Sequence, residues 1–255
     1  MKTFLDVYSD YGNIVAVSSE VAAGNMRAKN VLSQVPQLWK TTSNTVHTIT
    51  GKLEFIDSAD FVCPVDSYYV YVDYAPIGSI FKLEILPGLM QPASATYFFN
   101  NTLQEQALHC IGSTLTVGAY WKLTVTCPYA SILKISRVMV GQAWLPGISV
   151  SGDITVAKNT FIKGERQRNG GMYIPPSINY RTNTVLYSEL DKDDLFSLQD
   201  ALSRYGTGAT IFVEGLTSTS AFTFTSIYGR LIKWTQPEKS ISGNYSISIT
   251  VEETL

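Results

Sequence analysis

Asn244-Tyr245-Ser246-Ile247-Ser248-Ile249-Thr250-Val251-Glu252 is the stretch on which the fold class turns. Tyr245, Ile247, Ile249 and Val251 share one face, and Asn244, Ser246, Ser248, Thr250 and Glu252 share the other. Successive side chains of a strand point to opposite faces, so this period of two predicts a half-buried antiparallel strand. The same alternation recurs upstream. Phe81, Leu83 and Ile85 alternate with Lys82 and Glu84; Trp121, Leu123, Val125 and Cys127 alternate with Lys122, Thr124 and Thr126. Tyr68-Tyr69-Val70-Tyr71-Val72-Asp73-Tyr74 is apolar or aromatic on both faces. It predicts a central strand covered on two sides, or one whose tyrosine face meets a partner.

One segment has a different period. Leu195, Leu198, Leu202 and Tyr205 follow Asp191-Lys192-Asp193-Asp194 at spacings of three and four, with Gly206 after them. Such spacing marks one face of a helix over about 191–205. Asp191 can cap its free amides, Asp193 and Asp194 suit the positive end of its dipole, and Gly206 is the expected terminator. Trp144-Leu145-Pro146-Gly147, after a strand-like Leu133–Val140, predicts a crossing between domains 1–145 and 146–255. Within the second, 163–176 holds Gly164, Gly170, Gly171, Pro175 and Pro176, a loop long enough to be functional.

Of the 255 residues, 45% are hydrophobic and 16% charged, which supplies packed cores and excludes intrinsic disorder. Lys plus Arg number 19 and Asp plus Glu 21; up to Leu145 the split is 9 to 10, and beyond it 10 to 11. Neither part has the basic excess of a nucleic-acid binder. Asp6 stands where a secretory leader needs its apolar core. The uncharged Ile85–Gln104 stretch is interrupted by Pro87, Gly88, Pro92 and Asn100-Asn101, so no membrane insertion is expected. Cys63, Cys110 and Cys127 are an odd, sparse set without a CxxC pair, which reads as small core residues of a chain made in a reducing cytoplasm.

The search for chemistry yields no catalytic, cofactor or metal site. His47 and His109 are far apart, and His109-Cys110 lacks further ligands at zinc spacing. No G-x-S-x-G elbow, phosphate-binding glycine loop or H-E-x-x-H occurs. Asp57 and Asp60 read as turn residues, and Asp193 and Asp194 as the helix start, rather than as a glycosidase pair. Trp39, Tyr69 and Tyr71, with Tyr68, Tyr74 and Trp121, could line a sugar platform, though core or interface packing is the favoured reading. Lys163, Arg166 and Arg168 form a local cationic cluster whose flanking glycines and prolines suit an arm reaching a neighbouring subunit.

From Tyr180 onward the order is strand, helix, then strands ending in Phe224–Leu231 and Asn244–Glu253. This resembles the C-terminal part of tailed-bacteriophage tail and baseplate proteins, in which one helix flanks a β-sandwich. Val17-Ser18-Ser19-Glu20, Ala28–Leu32, Leu38-Trp39-Lys40-Thr41 and Ile135–Gly141 before Trp144 resemble the galactose-binding-like jelly rolls that precede it in such proteins. The expected fold is therefore mainly β: a jelly-roll β-sandwich, then a β-sandwich with one flanking α-helix. The resemblance implies a non-enzymatic structural protein of a virion tail tip or baseplate, a homo-oligomeric three- or six-fold ring that docks other tail proteins. The alternative is a carbohydrate- or host-receptor-binding module of the virion.

Overall fold

The computed structural model describes residues 3–7, 9, 12–18, 20–21, 26–32, 38–54, 62–104, 106–110, 113–146, 152–161, 165–166, 172–173, 178–206, 210–213 and 227–253. The chain divides into two compact units, Phe4–Trp144 and Leu145–Leu255 with Met1–Thr3. Both are built mainly from antiparallel strands.

The N-terminal unit begins with β1 (Thr3–Val7), β2 (Ile14–Val17), a 3-10 turn (Ala28–Leu32), β3 (Trp39–Lys40), β4 (Asn44–Lys52) and β5 (Cys63–Val65). It continues through β6 (Ser67–Tyr74), β7 (Ile80–Leu86), β8 (Ala95–Asn100) and β9 (Gln106–Cys110). β10 (Thr116–Gly118), β11 (Tyr120–Ser131) and β12 (Lys134–Trp144) complete it. One sheet runs β2-β4-β11-β7-β8, and β1-β12-β6-β9 run side by side with β3 on β12. Phe81, Leu83, Ile85, Trp121, Leu123, Val125 and Ile49 from the first meet Tyr68, Val70, Val72, Ile135, Val138 and Val140 from the second in a common core. This is the jelly-roll sandwich that the resemblance implies, built from the strands that the alternation predicts. Each such buried side chain contributes roughly 2 kcal/mol relative to exposure.

Trp121 sits opposite Gly51 in the β11–β4 ladder, and a Cβ on Gly51 would lie 2.5 Å from the indole ring. The strand pair is thus shaped around a missing side chain. Elsewhere polar ties close the sandwich. The Asp66 carboxylate accepts from Ser67 Oγ (2.6 Å) and the Ala143 amide (2.9 Å), while its carbonyl accepts from Ser113 Oγ (2.7 Å). Tyr68 packs on Tyr97 and Phe99, with ring centroids 4.7 and 5.1 Å away, and burial pushes its phenol up. None of the three cysteines forms a disulfide; Cys63 and Cys127 are buried in the core.

The C-terminal unit contains β13 (Gly152–Phe161), β14 (Glu165–Arg166), β15 (Met172–Tyr173), β16 (Ile178–Leu190) and α1 (Lys192–Tyr205). β17 (Thr210–Val213), β18 (Ile227–Trp234), β19 (Glu238–Lys239) and β20 (Tyr245–Glu253) follow. Its described strands run β13-β16-β20-β18-β17, with β19 on β20 and β14–β15 as a separate pair. Val185, Tyr187, Leu231, Ile247, Ile249 and Val251 are buried. α1 buries Leu195, Leu198, Ala201 and Leu202 and leaves Phe196, Ser197, Asp200 and Ser203 exposed, the apolar stripe of an amphipathic helix. Asp191 Oδ1 accepts from the Asp194 amide at 2.7 Å, and Gly206, at φ 68°, donates its amide to the Leu202 carbonyl at 2.9 Å. That left-handed backbone is the reason for glycine at this end. The Glu253 carboxylate accepts from the Arg181 amide (3.0 Å) and Nε (2.9 Å), tying the end of β20 to β16.

Two histidines lie inside the N-terminal unit. His47 is fully buried opposite Val125, and burial lowers its pKa from 6.5, opposed by hydrogen bonds with the backbone of Ser131 and Asn44. His109, opposite Tyr69, is lowered by burial too, opposed by a hydrogen bond with the Ala107 backbone.

Two outcomes are expected. Gly51→Ala forces the indole of Trp121 to move and lowers unfolding stability by about 2 kcal/mol in a denaturant titration; an unchanged midpoint would refute the close approach. Between the lowered folded pKa values and about 6.5 the unfolded chain binds more protons, so stability falls as pH drops below about 6.5. Thermal melts from pH 7.5 to 5 should show this decline, with a shallower slope in His47→Gln.

Candidate functional site

The residues singled out in the sequence for chemistry are distributed as follows. Trp39, Trp121, Tyr68 and Tyr69 are buried, so none can stack on a ligand, which corrects the sugar-platform reading for these four. Trp39 of β3 and Trp121 of β11 belong to the core between the sheets, and Tyr68 and Tyr69 lie on β6, whose residues are buried on both faces. Tyr71 and Tyr74 are half-buried. Lys163 and Arg168, like Asp57 and Asp60, lie outside the described residues. Arg166 lies in β14, opposite Met172 of β15. Among the described residues no three His, Cys, Asp or Glu side chains converge as a metal site. No helix among them is long and apolar enough to cross a membrane.

One end of the N-terminal sandwich holds an open cleft of about 350 Å³ lined by Lys40, Tyr74, Ile132 and Lys134. Three strands bring these residues together. Lys134, at the start of β12, stands opposite Tyr74 of β6 on one side and Lys40 of β3 on the other. Ile132, 39% exposed, lies in the turn that leads from β11 into β12.

The backbone beneath the cleft is held by specific hydrogen bonds. Thr41, fully buried, donates its amide to the Leu133 carbonyl at 3.0 Å and accepts from the Leu133 amide on Oγ1 at 2.9 Å. The Lys40 carbonyl accepts from the Val21 amide at 2.8 Å. Asn30 Nδ2 donates to the Leu38 carbonyl at 3.1 Å, and Glu20 Oε2 accepts from the Ala28 amide at 2.8 Å, which anchors the 3-10 turn. Such a fixed frame needs little backbone ordering on binding. Chemically the cleft offers an aromatic ring, an aliphatic side chain and two ammonium donors.

The outward face of the sheet β2-β4-β11-β7-β8 is a further open surface among the described residues. Phe98, Lys82, Thr124 and Thr48 stand in one row across it, and Asn100, Ile80, Thr126 and Val46 in the next. Phe98 is 66% exposed, and Met90, in the turn before β8, is 99% exposed. Tyr97 and Phe99, by contrast, pack against the core. The uncharged segment around Leu86–Gln104 therefore completes the sandwich with alternate residues and presents the others to solvent.

No protein-family model matches the chain, and no curated protein matches it. Solved structures do. A chitosan-binding module from a chitosanase/glucanase of Paenibacillus sp. IK-5 is 12% identical, with a TM-score of 0.40 over 54% of this chain and 97% of the module. The family 32 carbohydrate-binding module of Clostridium perfringens NanJ, solved in complex with galactose, is 12% identical, with a TM-score of 0.38 over 53% and 97%. Reduced XRCC1, solved bound to the catalytic domain of DNA polymerase β, is 13% identical, with a TM-score of 0.39 over 51% and 95%.

Proposed function

We propose that the N-terminal sandwich is a non-catalytic carbohydrate-binding module whose ligand lies in the Lys40–Tyr74–Ile132–Lys134 cleft. The observation that carries this reading is the cleft's composition. An aromatic ring and an aliphatic side chain suit the apolar face of a pyranose, while two lysines and a phenol supply polar contacts for its substituents. All four rest on paired strands or on the turn joining them, which suits recognition of a fixed shape.

A second reading is favoured by the C-terminal unit. β13, ten residues long, pairs only with β16 among the described strands, and the β13–β16 hairpin carries the β14–β15 arm at its end. An edge strand offers unpaired amides and carbonyls to another chain. With the resemblance to phage tail proteins, this supports a homo-oligomeric ring in a virion, in which Lys163, Arg166 and Arg168 meet the neighbouring subunit.

Each reading has its own measurement. Glycan-array screening and titration calorimetry should find saturable binding of a defined saccharide, weakened about tenfold by Tyr74→Ala, the loss of one stacked ring and its hydrogen bond. A blank array would end the carbohydrate reading. For the ring, light scattering should give a mass several times that of one chain, reduced to the monomer by deletion of 163–171. A monomeric parent chain would end that reading.

A further inference from the structure

We infer that the cleft selects an acidic saccharide, the anionic group lying between Lys40 and Lys134; this rests on the carbohydrate reading of the same cleft. The two lysines are in register on adjacent strands, which brings their Cβ atoms to about 5 Å of one another. Like charges placed directly opposite repel and cost stability, so such a pair has no structural purpose of its own. Two other lysines of this sandwich are each paired with a glutamate two residues along: Lys52 Nζ lies 2.7 Å from Glu54 Oε1, and Lys82 Nζ lies 2.6 Å from Glu84 Oε1. Lys40 and Lys134 have no such acid; neither ammonium is in an ion pair among the described residues.

An oxyanion between the two ammonium groups turns their repulsion into two attractions, and charge-assisted hydrogen bonds of this kind are about twice as strong as neutral ones. Tyr74, on the far side of Lys134, then faces the ring that bears the anion. Lysine is a point charge without the planar fork of arginine, so it accepts a carboxylate or a sulfate on the sugar alike. Nucleic acid fits poorly, because the 9 basic residues up to Leu145 are matched by 10 acidic ones, without the basic excess of such a binder.

The test is calorimetric titration of the full chain with oligogalacturonate, a sulfated galactan and neutral oligogalactose of equal length, with inorganic phosphate as the bare oxyanion. Acidic saccharides should bind about tenfold more tightly than the neutral one, the value expected of a charge-assisted contact, and lose that margin in high salt. Preference for the carboxylate or for the sulfate identifies the group recognised, and either supports the inference. The K40Q/K134Q double variant should weaken the acidic ligands far more than the neutral one, so that the margin between them disappears. It should melt no lower than the parent, since it removes a repulsion. Equal binding of acidic and neutral saccharides, with no effect of the double variant, overturns the inference and leaves the carbohydrate reading standing. Phosphate binding as tight as the acidic sugars also overturns it. Absence of binding by every saccharide ends both.

Discussion

The approach of the Trp121 indole to the bare backbone of Gly51 is the constraint around which the N-terminal sandwich is arranged. It sets the register of β4 against β11, because a slip by one residue would place Thr50 or Lys52 beneath the ring and turn every side chain of the strand to the wrong face. With β11 fixed, β7 takes its place opposite Leu123 and Val125 with Leu83 and Phe81, and β8 follows at the edge. The same register carries His47 inward at the other end of β4. One absent methyl group thereby determines which residues of three further strands are core.

The second sheet is held differently. Tyr68, Val70 and Val72 face the core while Tyr69, Arg137 and Met139, also buried, belong to its other side. Asp66 joins the start of β6 to the far end of β12, and Thr41 joins β3 to the β11–β12 turn. Central strands covered on both faces and tied at their ends make a stiff base. The cleft of Lys40, Tyr74 and Lys134 stands on that base at one end.

Much of this architecture is legible in the sequence. Asn244–Glu252 and Trp121–Cys127 announce their strands through strict alternation, because one covered face demands an apolar residue at every second position. Asp191, the leucines after it and Gly206 announce α1 at both ends, since capping is local chemistry. The run of tyrosines correctly implies a strand covered on two sides. Alternation alone does not say which aromatic residues stay accessible, so Trp39 and Tyr69 look as available as Tyr74. The cleft is illegible for a different reason. Lys40, Tyr74 and Lys134 are brought together by the pairing of β3, β12 and β6, and nothing near any one of them in the chain marks the other two.

The placement of β20 in the middle of the C-terminal sheet has a consequence for biosynthesis. All strands of the N-terminal sandwich have left the ribosome once Trp144 is out, whereas β20 emerges about a hundred residues later, on the order of ten seconds at usual elongation rates. The first unit can acquire its native packing during that interval. β16 and β18 cannot, because the strand that must lie between them has yet to be made. In a nascent chain β16 and β18 therefore wait with edges that only the last strand satisfies.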